Sequence, residues 1–553
     1  MKAVYIGLVA AISAFPSAAV EASKLCVHPT NSTCYSTIQS AVDAATSGDK
    51  IVIRPKADGS AYNESVIITT PNLTIKGAYW PAHKTTLGSI GDRWEFAAAD
   101  ELLDQFSAGP DRDATIDRWL NDLDNCGDVS NNFEQHVNRL EEVLTGRNFV
   151  ESCSSIVVET CGHGGEFGTK CGKSANANGD DLGTVFDVQA NGTTISNLTI
   201  RHGYRGINLN QDVTDTTITD TCFRGNTTAI ADFCGVVDEN GNSDCADPNG
   251  NDRTRIFRSF VDGASNSEGI KVTGDDVIVR HNLLLNTEGI DVDGDNYLVA
   301  ANAASVTTDD ECFDLDGANG VAKHNIGVTC DSGMYLNDFD GAVVKGNLLV
   351  GAADNDEGIY ASGGGDDLSL LYNIIALTSD DGIAGSMSSG TIKGNFVERA
   401  GNDSSEPGLK VNGDDNTIVA NFMRKNSWYG MDVDGDGNDV YCNVLDGNHR
   451  AGIVLRHGYS SSADTTNTTI DRNLILNTDG EGVAIPGCYI WDADTESNTC
   501  DPTENPAATN TTLTDNTFED NRTDICNESD TTTDGGGNTY SSGGFSTDCV
   551  ANE

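Results

Sequence analysis

Gly289-Ile-Asp-Val-Asp293 is the stretch whose reading decides the fold. Apolar and acidic residues alternate with a period of two, so in an extended strand Ile290 and Val292 face one way and Asp291 and Asp293 the other. The same pattern returns as Gly269-Ile270, Gly333-Met334, Gly358-Ile359, Gly382-Ile383, Gly408-Leu409, Gly430-Met431 and Gly452-Ile453, with Cys312-Phe313 filling the one gap. The steps between marks run from 20 to 26 residues. Inward parity holds for Phe313/Leu315, Met334/Leu336, Leu409/Val411 and Met431/Val433 as well. An Asn keeps the same clock at 282, 302, 325, 347, 373, 395, 421, 443 and 473. Short strands repeating at this period without helical spacing predict a solenoid. The fold expected is all-β, a right-handed parallel β-helix. In it the recurring Asn forms a buried amide ladder at a tight turn, taking up left-handed backbone and bonding the turn's own groups.

The rest of the chain is read outward from this core. Residues 1–22 have the basic start, apolar run and small-residue Val20-Glu21-Ala22 end of a signal peptide. Residues 23–78 are expected to form an N-terminal cap and first coil, with Ile38, Ala41, Val42 and Ala45 at helical spacing to close the open end of the core. Residues 79–182 break the rhythm. Trp94–Phe106 and Phe133–Leu144 look helical there, and Cys126, Cys153, Cys161 and Cys171 are expected to tie this insertion together as a lid over a groove or as a stabilising flap. Residues 183–487 carry the coils, interrupted near 233–255, and 488–553 read as a polar C-terminal cap or tail.

The chain has 553 residues, 33 Lys+Arg against 85 Asp+Glu and a net charge of -52. That balance argues against nucleic acid and anionic membranes as partners. Sixteen Cys suit an oxidising compartment, with most of the close pairs Cys26/Cys34, Cys161/Cys171, Cys234/Cys245, Cys312/Cys330, Cys488/Cys500 and Cys526/Cys549 expected to be local disulfides. The expected protein is a secreted or periplasmic monomer with no transmembrane segment in its mature chain.

In the order Gly48-Asp-Lys-Ile-Val-Ile-Arg-Pro55, Tyr62-Asn-Glu-Ser-Val-Ile-Ile68, Asn72-Leu-Thr-Ile-Lys-Gly77, the chain resembles the opening coil of the pectin-lyase-like β-helix superfamily. That resemblance implies polysaccharide lyases, hydrolases and epimerases as relatives without selecting one.

Stacking the repeats yields candidate sites. Neighbouring coils lie about 4.8 Å apart and alternate residues on a strand about 6.6 Å apart. One outward column then reads Lys271, Asp291, Asp314, Tyr335, Tyr360, Ala384, Lys410, Asp432; the next reads Thr273, Asp293, Asp316, Asn337, Ser362, Ser386, Asn412, Asp434, Arg456. Asp291, Asp293, Asp314 and Asp316 crowd one patch, so either their pKa values rise or a cation binds. Tyr335 and Tyr360 offer flat faces to sugar rings, and Lys271, Lys410 and Asn337 offer polar contacts. Two chemistries fit a polysaccharide on this face. A hydrolase would use a carboxyl pair. A lyase would use calcium to neutralise a uronate while Lys, Arg or Tyr removes a proton. A third reading, from a different class, is a non-catalytic calcium-stabilised surface, adhesion or glycan-binding protein. Calcium is the candidate cofactor, with Asp293, Asp316 and the Asp432-Val-Asp434-Gly-Asp436 run as its ligands.

Asn286-Thr-Glu-Gly-Ile-Asp291, Asp309-Asp-Glu-Cys312 and Val328-Thr-Cys330 together resemble the first two active-site coils of polygalacturonases. This likeness implies Glu288, Asp310 and Glu311 as catalytic acids and a Cys312–Cys330 disulfide. It ends there: Ser332 stands near where that family has a histidine, and Gly358-Ile-Tyr360 replaces its Arg-Ile-Lys.

Overall fold

The computed structural model describes residues 22–78, 90–107, 112–122, 129–145, 149, 153–160, 183–233, 250–263, 268–306, 310–351, 356–402, 406–455, 465–485, 491–492, 497–498, 508–527, 531–541 and 544–546. The signal-peptide segment and most of the expected local cystines therefore lie outside the described residues. Strands of two to eight residues stack coil upon coil into three parallel sheets of 17, 15 and 16 strands, here sheets A, B and C. One coil runs Leu283–Leu285 in sheet B, Glu288–Asp293 in sheet C and Leu298–Ala300 in sheet A before returning to sheet B at Ala303–Ser305. This is a parallel β-helix. Its inward residues, among them Ile290, Val292, Phe313, Leu315 and Ile359, form one continuous core.

The repeat glycines stand where coils approach closely. A Cβ on Gly289 would lie 2.1 Å from the carbonyl oxygen of Cys312, and one on Gly358 would lie 2.3 Å from Ile375 Cγ2.

The Asn ladder runs from Asn282 through Asn302, Asn325, Asn347, Asn373, Asn395, Asn421, Asn443 and Asn473 to Asn516 and Asn538, with Nδ2 to Oδ1 spacings of 2.9–3.1 Å. Its geometry differs from expectation in one respect. The left-handed residue is the one before the Asn, such as His281, Ala301, His324, Tyr372 and Cys442. The Asn itself bonds across coils: Asn302 Nδ2 donates to Asn325 Oδ1 and to the Val279 carbonyl, while its Oδ1 accepts from both Nδ2 and N–H of Asn282. Both amide hydrogens and both lone pairs are thus used, which is why a buried primary amide is tolerated there.

Helix α1 (Ile38–Ala44) closes the N-terminal end. Thr37 caps it, and the Glu64 carboxylate accepts from the N–H groups of Ile38 and Gln39 at 2.8 and 3.0 Å, using an anion where the helix dipole is positive. Helices α2 (Ala97–Asp104), α3 (Ala114–Asp122) and α4 (Val129–Leu144) form the partly helical insertion. The apolar stripe of α4, Phe133, Val137, Leu140 and Leu144, packs with Trp119 and Phe106 onto outward residues of sheet B, including Leu283, Phe396 and Phe422. Trp119 donates its indole N–H to the Ala420 carbonyl at 2.9 Å, and Arg118 pairs with Glu519. Helices α2, α3 and α4 are therefore a flap on sheet B. The stripe that would have shown this lay on sheet B, whose strands are apolar on both faces.

Cys26–Cys34 and Cys312–Cys330 are disulfides. Cys153 bonds Cys222 and so fastens the insertion to a sheet B strand, where sequence spacing pointed to partners within the insertion. Coils also run further than the spacing predicts. Val157–Glu159, inside the expected insertion, pairs between Tyr62–Asn63 and Thr199–Arg201. Thr512–Thr514, Thr517–Glu519 and Thr523–Asn527, inside the expected tail, extend all three sheets. No described helix is long and apolar enough to cross a membrane.

Candidate functional site

Sheet C carries the candidate site on its outer face. Its register aligns Lys271, Asp291, Asp314, Tyr335, Tyr360, Ala384, Lys410 and Asp432 as one column over successive coils. The second column holds from Thr273 through Asp293 and Asp316 to Asn337, whose Nδ2 donates to Asp316 Oδ2 at 3.2 Å. It then breaks. A bulge between Ala361 and Gly365 removes Ser362 from register with Ser386, because Gly363 and Gly364 take positive φ and loop outward. Ser362 instead lies 2.6 Å from the Tyr335 hydroxyl. Asp434 pairs with Asn412 as expected, while Arg456 lies outside the described residues.

The first acid cluster occupies two coils. Lys271 forms an ion pair with Asp291. Asp232, which the repeat did not reveal, joins from an earlier coil and accepts the Thr273 N–H at 2.7 Å. Burial, with Asp316 and Asp232 adding, raises Asp293. Burial also raises Asp314 to about 6, with Lys271 opposing and Asp316, Asp310 and Asp293 adding. Glu311 is pushed up to about 8, first by a side-chain hydrogen bond with Asp310 and then by burial. Glu311 N–H also donates to Asp310 Oδ1 at 2.9 Å. Glu288 stands in the strand one coil before, partly buried. Tyr335 and Tyr360 follow with ring centroids 5.6 Å apart at 60°.

A second acid cluster lies beyond the tyrosines. Glu357, Asp380 and Asp381 each place a carboxylate oxygen within 4.8 Å of the others, and this is the one such trio of potential metal ligands among the described residues. Lys410 contacts Asp381 Oδ2 and Glu406 Oε2, both at 3.3 Å. Burial opposes the Lys410 charge, but Asp381 and Glu406 outweigh it and raise its pKa. Burial lifts Glu357 to about 7, with Asp380 and Asp356 adding, and raises Asp381 well above its ordinary value. Tyr360 is raised by burial and then by Glu357.

Asp432 and Asp434 are buried and Asp436 is exposed. Asp436 accepts from Asn467 Nδ2 at 2.7 Å and from Thr466. Among the described residues, neither Asp432, Asp434 and Asp436 nor Asp293 and Asp316 belong to a trio of His, Cys, Asp or Glu ligand atoms within 4.8 Å of one another. Alternate residues of an extended strand are held about 6.6 Å apart, whereas a calcium loop must coil. The trio that does converge uses adjacent residues on a turn, Asp380-Asp381, and one residue from the coil before. A signal for it was present: Glu268, Glu288, Glu311, Glu357 and Asp381 all immediately precede a repeat mark.

The fold and site together define a parallel β-helix with an acid-lined, tyrosine-bearing outer face. A family model described as periplasmic copper-binding protein (NosD) matches residues 268–460. No curated protein matches the chain. Among solved structures, a double mutant of the periplasmic alginate epimerase AlgG is 14% identical, covering 63% of this chain and 76% of that one at a TM-score of 0.31. The A-module of a mannuronan C-5 epimerase from Azotobacter vinelandii is 10% identical, covering 90% and 95% at 0.30. The catalytic domain of an alpha-1,3-glucanase in complex with tetrasaccharides is 14% identical, covering 64% and 56% at 0.29. At these values the likeness carries no activity across to this chain.

Proposed function

We propose that this protein is an extracytoplasmic, polysaccharide-active enzyme that hydrolyses glycosidic bonds of a glycan lying along sheet C. The observation that carries the reading is the alignment of Asp291 and Asp314 with Tyr335 and Tyr360 in one outward column, beside Glu311, whose carboxyl is raised by its bond to Asp310 and by burial. Glu311 donates its proton to the leaving glycosidic oxygen. Asp314, ionised above about 6, activates water or attacks the anomeric carbon. Asp291, balanced by Lys271, and Glu288 add negative charge opposite a developing oxocarbenium ion. Tyr335, Tyr360 and Asn337 line the path of neighbouring sugars, with Lys410 at its far end.

A lyase is less well supported, because Lys271 and Lys410 are both engaged in ion pairs with carboxylates. The disulfides support an oxidising, extracytoplasmic setting. Copper, which the matching family's description names, does not suit the described donors. The convergent trio is all carboxylate, the described cysteines are all disulfide-bonded, and His136 and His324 bond each other at 2.9 Å. Copper sites draw on imidazole, thiolate and thioether.

The test is digestion of a polysaccharide panel by purified protein, read by reducing ends and by ultraviolet absorbance of unsaturated uronates. Reducing ends without new absorbance support hydrolysis. New absorbance would make the enzyme a lyase, and silence in both channels would turn the reading to a non-catalytic surface or glycan-binding protein.

A further inference from the structure

We propose that Glu357, Asp380 and Asp381 form a binding site for a hard divalent cation of calcium's size, which clamps two adjacent coils beside Tyr360. Their oxygens lie within 4.8 Å of one another. Calcium takes oxygen ligands at about 2.3–2.6 Å, so ligands on opposite sides of the ion stand about 4.6–5.2 Å apart, and a trio of this spread encloses it. All three donors are carboxylates, the ligand type of calcium and manganese rather than of copper or zinc.

A second observation is independent of the clustering. Asp381 is only 2% exposed, and its Oδ1 has no hydrogen-bond partner. A buried carboxylate oxygen without a donor is costly, so a cation there has a physical reason to bind. Lys410 does not fill that role: its ammonium meets the other oxygen, Oδ2, and is shared with Glu406.

The backbone holds the donors in place. Gly358 N–H donates to the Asp381 carbonyl at 3.1 Å, and Asp380 N–H donates to the Asp356 carbonyl at 3.2 Å, so the turns carrying Glu357 and Asp381 are locked to each other before any ion arrives. The site lies two coils, about 10 Å, from Asp314 along the axis. It is separate from the acids assigned to hydrolysis, and it stands or falls independently of glycan cleavage.

Equilibrium dialysis of the chelator-treated full chain against calcium, with and without Glu357→Gln/Asp380→Asn, tests the site. The expected result is one fewer bound calcium in the variant. Calcium should also raise the Tm of the wild type and leave the variant's Tm unmoved, since an ion that binds only the folded state stabilises it by mass action. Glu357→Gln alone guards against misfolding of the double variant, and should weaken calcium binding about tenfold or more by removing one ligand charge. No calcium bound by the wild type, equal stoichiometry in wild type and the double variant, or unchanged affinity in Glu357→Gln overturns the proposal. So does a lost equivalent that follows Asp293→Asn or Asp434→Asn instead.

Discussion

Sheets B and C are built from the same coils in the same parallel register, yet their outer faces have opposite fates. The outer face of sheet B presents Leu283, Phe396, Phe422 and Val444, and the insertion helices cover it with Trp119, Phe133 and Phe106. The outer face of sheet C presents Asp291, Asp314, Tyr335, Tyr360 and Lys410, while the insertion helices pack on sheet B. Backbone stacking is indifferent to which side chains point outward. The outward residues alone decide whether a face is covered by the insertion helices or left open.

The sharpest test of that division is Glu311→Gln. Glycan cleavage should fall about 10²–10⁴-fold while Tm hardly moves at pH below about 4.5, where Glu311 is protonated in both folded and unfolded states, because general acid catalysis is lost and no packing is. Stability and turnover measured on the same preparation check it, and an equal loss in both would place Glu311 among the structural residues. Trp119→Ala is the mirror experiment on sheet B. It should cost about 3–5 kcal/mol in urea unfolding and loosen the helices, leaving glycan affinity on the far face unchanged. A break common to both faces is Asn373→Ala. It strands the Asn347 N–H and Nδ2 donors and the Val344 carbonyl, at about 1–3 kcal/mol for each orphaned group that water cannot reach.

The two faces should also answer pH in opposite senses. Glu311 has its folded pKa raised from 4.5 to about 8. The folded state therefore holds the proton longer than the unfolded chain, and this contribution to stability is present at low pH and lost as pH rises from about 4.5 through 8. His136 and His324, between α4 and sheet B, are both lowered to about 4, chiefly by burial. Their contribution is present above 6.5 and lost as pH falls toward 4. Unfolding of Glu311→Gln and of His136→Asn across pH 4–9 separates the limbs: the first should flatten the alkaline decline and the second the acidic one. In turnover, Asp314 near 6 and Glu311 near 8 should set the two limbs of a bell. The smallest effect expected is Tyr360→Ala, within about 1 kcal/mol in stability but with a raised KM if the ring stacks on sugar.

Much of this contrast was legible beforehand. A period of two inside a longer repeat placed Asp291, Asp314, Tyr335 and Tyr360 in one column, because parallel in-register stacking converts sequence spacing directly into distance. Legibility failed where the repeat is interrupted. The Gly363-Gly364 bulge removed Ser362 from its column, and Asp232 entered from beyond the Gly289–Tyr360 stretch. Glu357 and Asp381 both precede a repeat mark, but Asp380 and Asp381 sit on a turn, where strand parity assigns no direction, so the marks alone did not show that the three carboxylates converge.

The sequence by itself determined the parallel coils, the inward core, the Asn ladder and the acidic outer column, since each follows from local periodicity and from the need to satisfy buried polar groups. Tertiary structure alone decided which face the insertion covers, the Cys153–Cys222 bond, the left-handed residue ahead of each ladder Asn, and the meeting of Glu357 with Asp380 and Asp381. Those depend on contacts between residues far apart in the chain or on turn geometry, for which side-chain alternation holds no information.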